Sequence, residues 1–160
     1  MTINVGDAIP EVPLKRIANG GVETVDTRAL FGEGKTVLFA VPGAFTPTCS
    51  EQHLPGFVQH FQDFRDRGVK VACLSVNDPF VMQAWGKSQD VPEGMMMLAD
   101  GNAEFTRALG LELDASGYGM GTRAKRFAMV IEDGVVRGLF VEAPGEYRVS
   151  SAEHVLAQLG

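Results

Sequence analysis

The chain has 160 residues, 45% hydrophobic and 21% charged, the composition of a globular domain able to bury its own core. A net charge of -6 and an isoelectric point near 5.0 exclude the clustered Lys and Arg that nucleic acid or an anionic membrane surface requires. The first ten residues lack a basic start and an apolar run, and no stretch approaches the roughly 18 apolar residues of a membrane span, so a cytoplasmic protein is expected.

No linker, composition shift or internal repeat divides the chain, so residues 1–160 are expected to form a single domain. Thr36 to Val41 is β-branched and aromatic, with Gly34 before it and Pro42-Gly43 after it, and reads as a buried strand. Leu54, Phe57, Val58, Phe61 and Phe64 then recur at three- and four-residue spacing. This predicts a helix with Thr46 as N-cap, Pro47 at the first helical position, a kink at Pro55 and a stop at Gly68. Val69 to Val76 reads as a second strand, and Asn77-Asp78-Pro79 opens another helix towards Gln89. Met95 to Leu98 reads as a short strand, with the methionines as core, and Asn102 to Leu109 as a helix ending at Gly110. Phe127 to Ile131 and Val135 to Val141 flank Asp133-Gly134, a strong hairpin signal. Ser150 with Glu153 forms a capping-box pattern for a last helix carrying Val155, Leu156 and Leu159. The βαβ rhythm plus the hairpin predicts a thioredoxin-like α/β fold, a central mixed sheet flanked by helices.

Chemistry concentrates where the first strand hands over to the long helix, in Pro42-Gly43-Ala44-Phe45-Thr46-Pro47-Thr48-Cys49. Cys49 falls in the first helical turn, where unsatisfied N–H groups and the macrodipole favour an anionic sulfur. Such a sulfur suits attack on a peroxide, given donors to polarise the O–O bond and a cation for the departing oxygen. Thr46 lies one turn before Cys49, and the N–H groups of Thr48 and Cys49 point out of the helix start. Arg126, at the mouth of the Phe127 strand, is the candidate cation, with Arg123 a near neighbour, and Pro42 would shield the sulfur from water. His53 follows on the same helical face and is read as lining the pocket; no further metal ligands accompany it, and no metal or cofactor is expected. Phe45, Met120 and Phe127 suggest an apolar pocket rim, so Thr48, Phe45, His53 and Met120 are the candidate substrate-binding residues.

Pro42, Thr46 and Cys49 match the PxxxTxxC pattern of the peroxiredoxins, and VPGAFTPTCSEQHLPG resembles their type-5 (atypical) subfamily. Similarity continues through VACLSVNDPFVMQAW and RAKRFAMVIEDGVVRGLFVE. The resemblance implies an active-site quartet of Pro42, Thr46, Cys49 and Arg126, with Cys49 as the peroxidatic cysteine, a hydroperoxide substrate and a homodimer. It also brings out departures. Ser150 and Ser151 stand where two-cysteine members carry a resolving cysteine, and Thr48 stands where many relatives have Gly.

The other cysteine, Cys73, lies mid-strand in an apolar run and reads as an inert core residue. A sulfenic acid on Cys49 would then need an outside thiol; the resemblance implies glutathione with glutaredoxin, with thioredoxin as the alternative. Two other function classes bear on the same cysteine. A dithiol reductase is disfavoured because Thr46 replaces the first cysteine of such a motif. A redox sensor or holdase signalling through Cys49 is separated from a peroxidase by the rate of peroxide loss.

Overall fold

The computed structural model describes residues 2–159. Seven strands form one sheet in the order β2-β1-β5-β4-β3-β8-β9: β1 (Pro13–Ala18), β2 (Gly21–Asp26), β3 (Lys35–Val41), β4 (Val69–Ser75), β5 (Met96–Ala99), β8 (Phe127–Glu132) and β9 (Val135–Val141). Between β5 and β8, β6 (Glu112–Asp114) and β7 (Thr122–Ala124) make a small separate ladder. Strands β3, β4 and β5 run parallel, and the others pair antiparallel, giving the expected mixed sheet.

Alternation along the central strands builds two cores. Leu38 and Ala40 of β3, Leu74 of β4 and Met129 of β8 face one side, where α1 (Thr27–Phe31) and α5 (Glu104–Leu109) cover them. Val37 and Phe39, Cys73, and Ala128 face the other. There α2 (Leu54–Gln59), α3 (Phe61–Asp66), α4 (Pro79–Ser88) and α6 (Ala152–Leu159) pack, led by Phe57, Phe64, Trp85 and Val155. Phe127 is fully buried in the first core, because its β8 parity turns it away from Cys49; it forms no pocket rim.

The α4 start is built as read, with the Asp78 carboxylate accepting from Val81 N at 2.9 Å. Gly110 ends α5 at φ +72°, where a side chain would be strained. Asp133 and Gly134 both take positive φ, the geometry a two-residue hairpin turn demands. Asn19 and Gly20 do the same between β1 and β2, a hairpin for which the sequence carries the turn signal.

Three expectations need correction. The predicted long helix is interrupted: Pro47 and Thr48 are α-helical, Cys49–His53 is a π-helical turn in which Leu54 N donates to Cys49 O, and α2 and α3 break at His60. Pro55 has no N–H for the carbonyl four residues back, so the ladder is already broken there and the wider turn just before it is accommodated. Thr46 does head the helix, its carbonyl accepting from Ser50 N, but its hydroxyl donates to Gly43 O instead of capping. The last helix is capped by Ser151, whose Oγ accepts from His154 N, while the Ser150 hydroxyl donates to Glu142.

Candidate active site

Register brings the site together. Phe127 pairs with Ala40, so Arg126, the residue before it, arrives beside the end of β3, where the chain leaves for Cys49. The loop between is tightly built. Ala44 N donates to Asn77 Oδ1 at 3.1 Å, and Gly43 O accepts from Thr46 Oγ1 at 2.6 Å. Phe45 holds φ +65°, a left-handed conformation that a bulky residue keeps only when its surroundings impose it. Gly43 is closely approached: a Cβ there would lie 3.0 Å from Arg123 Nη1 and 3.1 Å from both Met120 Cε and Thr46 Cγ2, so these side chains would have to shift by a few tenths of an ångström.

Cys49 is fully buried, and Arg126 Nη2 donates to its Sγ at 3.1 Å. The same guanidinium donates through Nη1 to His53 Nδ1 at 2.9 Å. His53 Nε2 in turn donates to the Ser150 carbonyl at 3.0 Å. Because Nδ1 accepts, the ring is neutral with its proton on Nε2; burial first, and the Arg126 charge second, lower its pKa to about 3. Arg123 makes a different set of bonds, to Met120 O at 2.9 Å and Pro42 O at 3.3 Å, and makes no hydrogen bond to the sulfur.

Arg126, Pro42 and Thr48 line a cavity of about 310 Å³, together with Leu113, Tyr118 and Lys125. Thr48 is thus the one candidate substrate-binding residue on this wall. Phe45 projects to solvent, 56% exposed, and Met120 packs over Gly43. His53 is a correction: it does not line the pocket but is fully buried behind Arg126, with both nitrogens engaged. Cys49 itself lies beneath this wall and does not line the cavity, and a larger hollow of about 870 Å³, bordered by Arg16, Ile17 and Lys87, is lined by neither cysteine. Thr48 and Cys49 open the helix, where the first N–H groups have no intrahelical acceptor, and neither N–H bonds to a backbone acceptor outside it among the described residues.

Cys73 shares the apolar cluster with Cys49, and its thiol is pushed well up, by burial first and by the Cys49 sulfur second. Glu142 and Ser150 also belong to the site, and no sequence motif marks either for it. The Glu142 carboxylate accepts from Arg148 N, Ser150 N and Ser150 Oγ at 2.7, 2.8 and 2.6 Å. Burial opposes its ionisation, but the bonds from Ser150 and Arg148 outweigh that and hold it below the usual carboxylate range. Trp85, fully buried as expected of a packing residue, also donates from Nε1 to Ser50 Oγ on the helix that carries Cys49.

A buried sulfur touched by a guanidinium at the end of a thioredoxin-like sheet suits two-electron thiol chemistry, which makes this a thiol-based oxidoreductase. The family model described as Redoxin matches residues 4–156. The chain is 47% identical to chloroplastic peroxiredoxin-2E of Arabidopsis thaliana over 99% of its own length and 70% of that protein's. Among solved structures, reduced Prx3 from Vibrio vulnificus in complex with H2O2 superimposes with a TM-score of 0.95 at 49% identity, covering 99% of this chain and 100% of that one. Peroxiredoxin 5 from Alvinella pompejana does so at 0.87 and 37% identity, covering 98% and 97%. The chain therefore belongs to the peroxiredoxins, enzymes that reduce peroxides with a thiol.

Proposed function

We propose that Cys49 is the peroxidatic nucleophile and that Pro42, Thr46 and Arg126 complete its site, in a one-cysteine enzyme of the type-5 kind acting on hydrogen peroxide and organic hydroperoxides. The observation that carries this reading is the 3.1 Å contact between Arg126 Nη2 and Cys49 Sγ. The thiolate attacks one peroxide oxygen, an S–O bond forms as the O–O bond breaks, and the second oxygen leaves with the electron pair and takes a proton as water or alcohol. The Arg126 charge and the free N–H groups of Thr48 and Cys49 stabilise the negative charge as it moves from sulfur to oxygen. Thr46 has its hydroxyl hydrogen committed to Gly43 O, so its lone pairs are left to accept from the peroxide O–H. Pro42 and Thr48 wall the approach.

The resulting sulfenic acid is reduced by an external thiol: the first thiol displaces water to form a mixed disulfide, and a second restores Cys49. Glutathione with glutaredoxin is the reductant assigned here. What supports an external reductant is that Cys73 is buried mid-strand and that serines, Ser150 and Ser151, both buried, precede the last helix. The single 160-residue domain acts in the cytoplasm as a homodimer; Phe45, Phe80 and Tyr118, exposed by 56%, 64% and 87%, are the apolar surface for such contact near the active-site loops. Among the described residues no helix is long and apolar enough to cross a membrane. The test is a steady-state assay comparing glutathione plus glutaredoxin with thioredoxin as donor: turnover with the first is expected, and turnover with thioredoxin alone would reassign the reductant.

A further inference from the structure

Strands β1 and β5 are joined by one register pair among the described residues, Lys15 with Ala99. Beyond that pair the hollow of about 870 Å³ opens, bordered by Arg16 and Ile17 of β1, Met96 and Met97 of β5, and Gly86 of α4. Strand alternation gives the two methionines different neighbours. Met96 packs against the first core, whereas Met97, opposite Cys73 in register, packs against the second, the cluster that holds Cys49 and Trp85. Both are half-buried and keep part of their surface open to the hollow. Met97 lies directly on the helix: a Cβ placed on Gly86 would be 3.2 Å from its Cγ, 3.6 Å from its Cε and 3.8 Å from its Sδ. The residue before Gly86 is Trp85, whose Nε1 donates at 3.0 Å to the hydroxyl of Ser50, the residue after Cys49 in the π turn.

We infer that Met97 is a second, slower peroxide-reactive sulfur, a modification site at which excess hydroperoxide forms methionine sulfoxide, and that its oxidation loosens the Trp85–Ser50 contact behind Cys49. The effect on Cys49 rests on the reading of that residue as the reacting one; the modification itself does not. A lone pair of the thioether sulfur attacks one peroxide oxygen, the S–O bond forms as the O–O bond breaks, and the other oxygen leaves with the electron pair. The leaving anion takes the proton of the new S–OH group, so thioether and hydroperoxide give sulfoxide and water or alcohol, the sulfur oxidised by two electrons and the peroxide reduced by two. A neutral thioether is a weaker nucleophile than a thiolate, so Cys49 is served first and Met97 reacts once peroxide outruns the reductant. The sulfoxide oxygen is polar, and an apolar cluster offers it no donor, so the side chain turns outward into the hollow and α4 loses its support at Gly86.

The site is tested in Cys49→Ser, where no thiolate competes at that position. Under excess hydrogen peroxide, mass mapping should show sulfoxide on Met97 well ahead of Met82 and Met129, both fully buried. The emission of Trp85, the one tryptophan of the chain, should move to longer wavelength in step with that oxidation. Met97 oxidised no faster than Met82 and Met129 would overturn the site, and unmoved emission with Met97 oxidised would overturn its coupling to Trp85. Without oxidant, Met97→Gln, which places a polar group of similar length there, should shift the emission likewise and lose peroxide rate, while Met97→Leu keeps both near wild type. A wild-type rate in Met97→Gln would overturn the link to Cys49. If Cys49→Ser itself consumes peroxide at the wild-type rate, the assignment of the reacting sulfur fails, and the mass shift on Met97 still decides the modification separately.

Discussion

The guanidinium of Arg126 meets Cys49 Sγ at 3.1 Å, with the sulfur shielded from solvent on every side. In so dry a place a single fixed cation is worth far more than at the surface. Arg126→Met is expected to slow peroxide reduction by about 10²- to 10³-fold, the usual cost of removing one preorganised donor, and Arg126→Lys to recover only part because it lacks the fork. Arg123→Met should cost much less, since Arg123 bonds Pro42 O and Met120 O. Stopped-flow rates of the three variants check this; a larger loss in Arg123→Met would exchange their roles.

Thr46 supplies a lone pair, and its hydroxyl hydrogen is spent on Gly43 O at 2.6 Å. Thr46→Ser keeps that bond, whereas Thr46→Val keeps the shape and loses both functions. Serine is expected to stay within a few-fold of wild type and valine to fall by about 10² or more. Equal activity of the two in a peroxide-consumption assay would remove the hydroxyl from the mechanism.

Burial of His53 carries a stability signature. Its pKa is about 3 in the folded chain against 6.5 for the free side chain, so between those values the unfolded chain holds a proton that the native one lacks. This contribution therefore leaves stability undiminished above about 6.5 and erodes it as pH falls towards about 3, by up to about 1.4 kcal/mol per pH unit. Glu142, also depressed, erodes stability in the same acid direction in wild type and variant alike. Denaturant unfolding at stepped pH should give a steeper acid slope for wild type than for His53→Asn; parallel slopes would contradict the neutral buried ring.

Cys73 sits at 0% exposure with its thiol pushed up by burial and by the neighbouring sulfur. Cys73→Ala should therefore change the peroxide rate little, whereas Cys49→Ala should abolish it. Mass spectrometry showing a Cys49–Cys73 bond after one turnover would contradict an external reductant.

The parts of the site that were legible in the sequence are those encoded locally. The continuous β-branched and aromatic run of Thr36 to Val41, the Asp133-Gly134 turn and the Asp78-Pro79 helix start are short-range signals, and they place Cys49 at a strand-to-helix junction and Arg126 at a strand mouth. What the sequence concealed is non-local. Ser150 looked like a cap three residues before Glu153, yet its hydroxyl serves Glu142, because a buried carboxylate binds a donor more strongly than a helix end does. His53 looked like a pocket residue by helical spacing, but the π turn and the Phe39 and Phe57 rings turn it into the core. Nothing in residues 49–55 other than Pro55 announces that turn.

The most direct test of the central claim mixes pre-reduced wild type and Cys49→Ser with one equivalent of peroxide and follows its disappearance in a stopped-flow instrument. Wild type should consume that equivalent rapidly and leave a sulfenic acid on Cys49, while the variant consumes none. Peroxide loss at the wild-type rate in Cys49→Ser would show that the reacting sulfur is elsewhere.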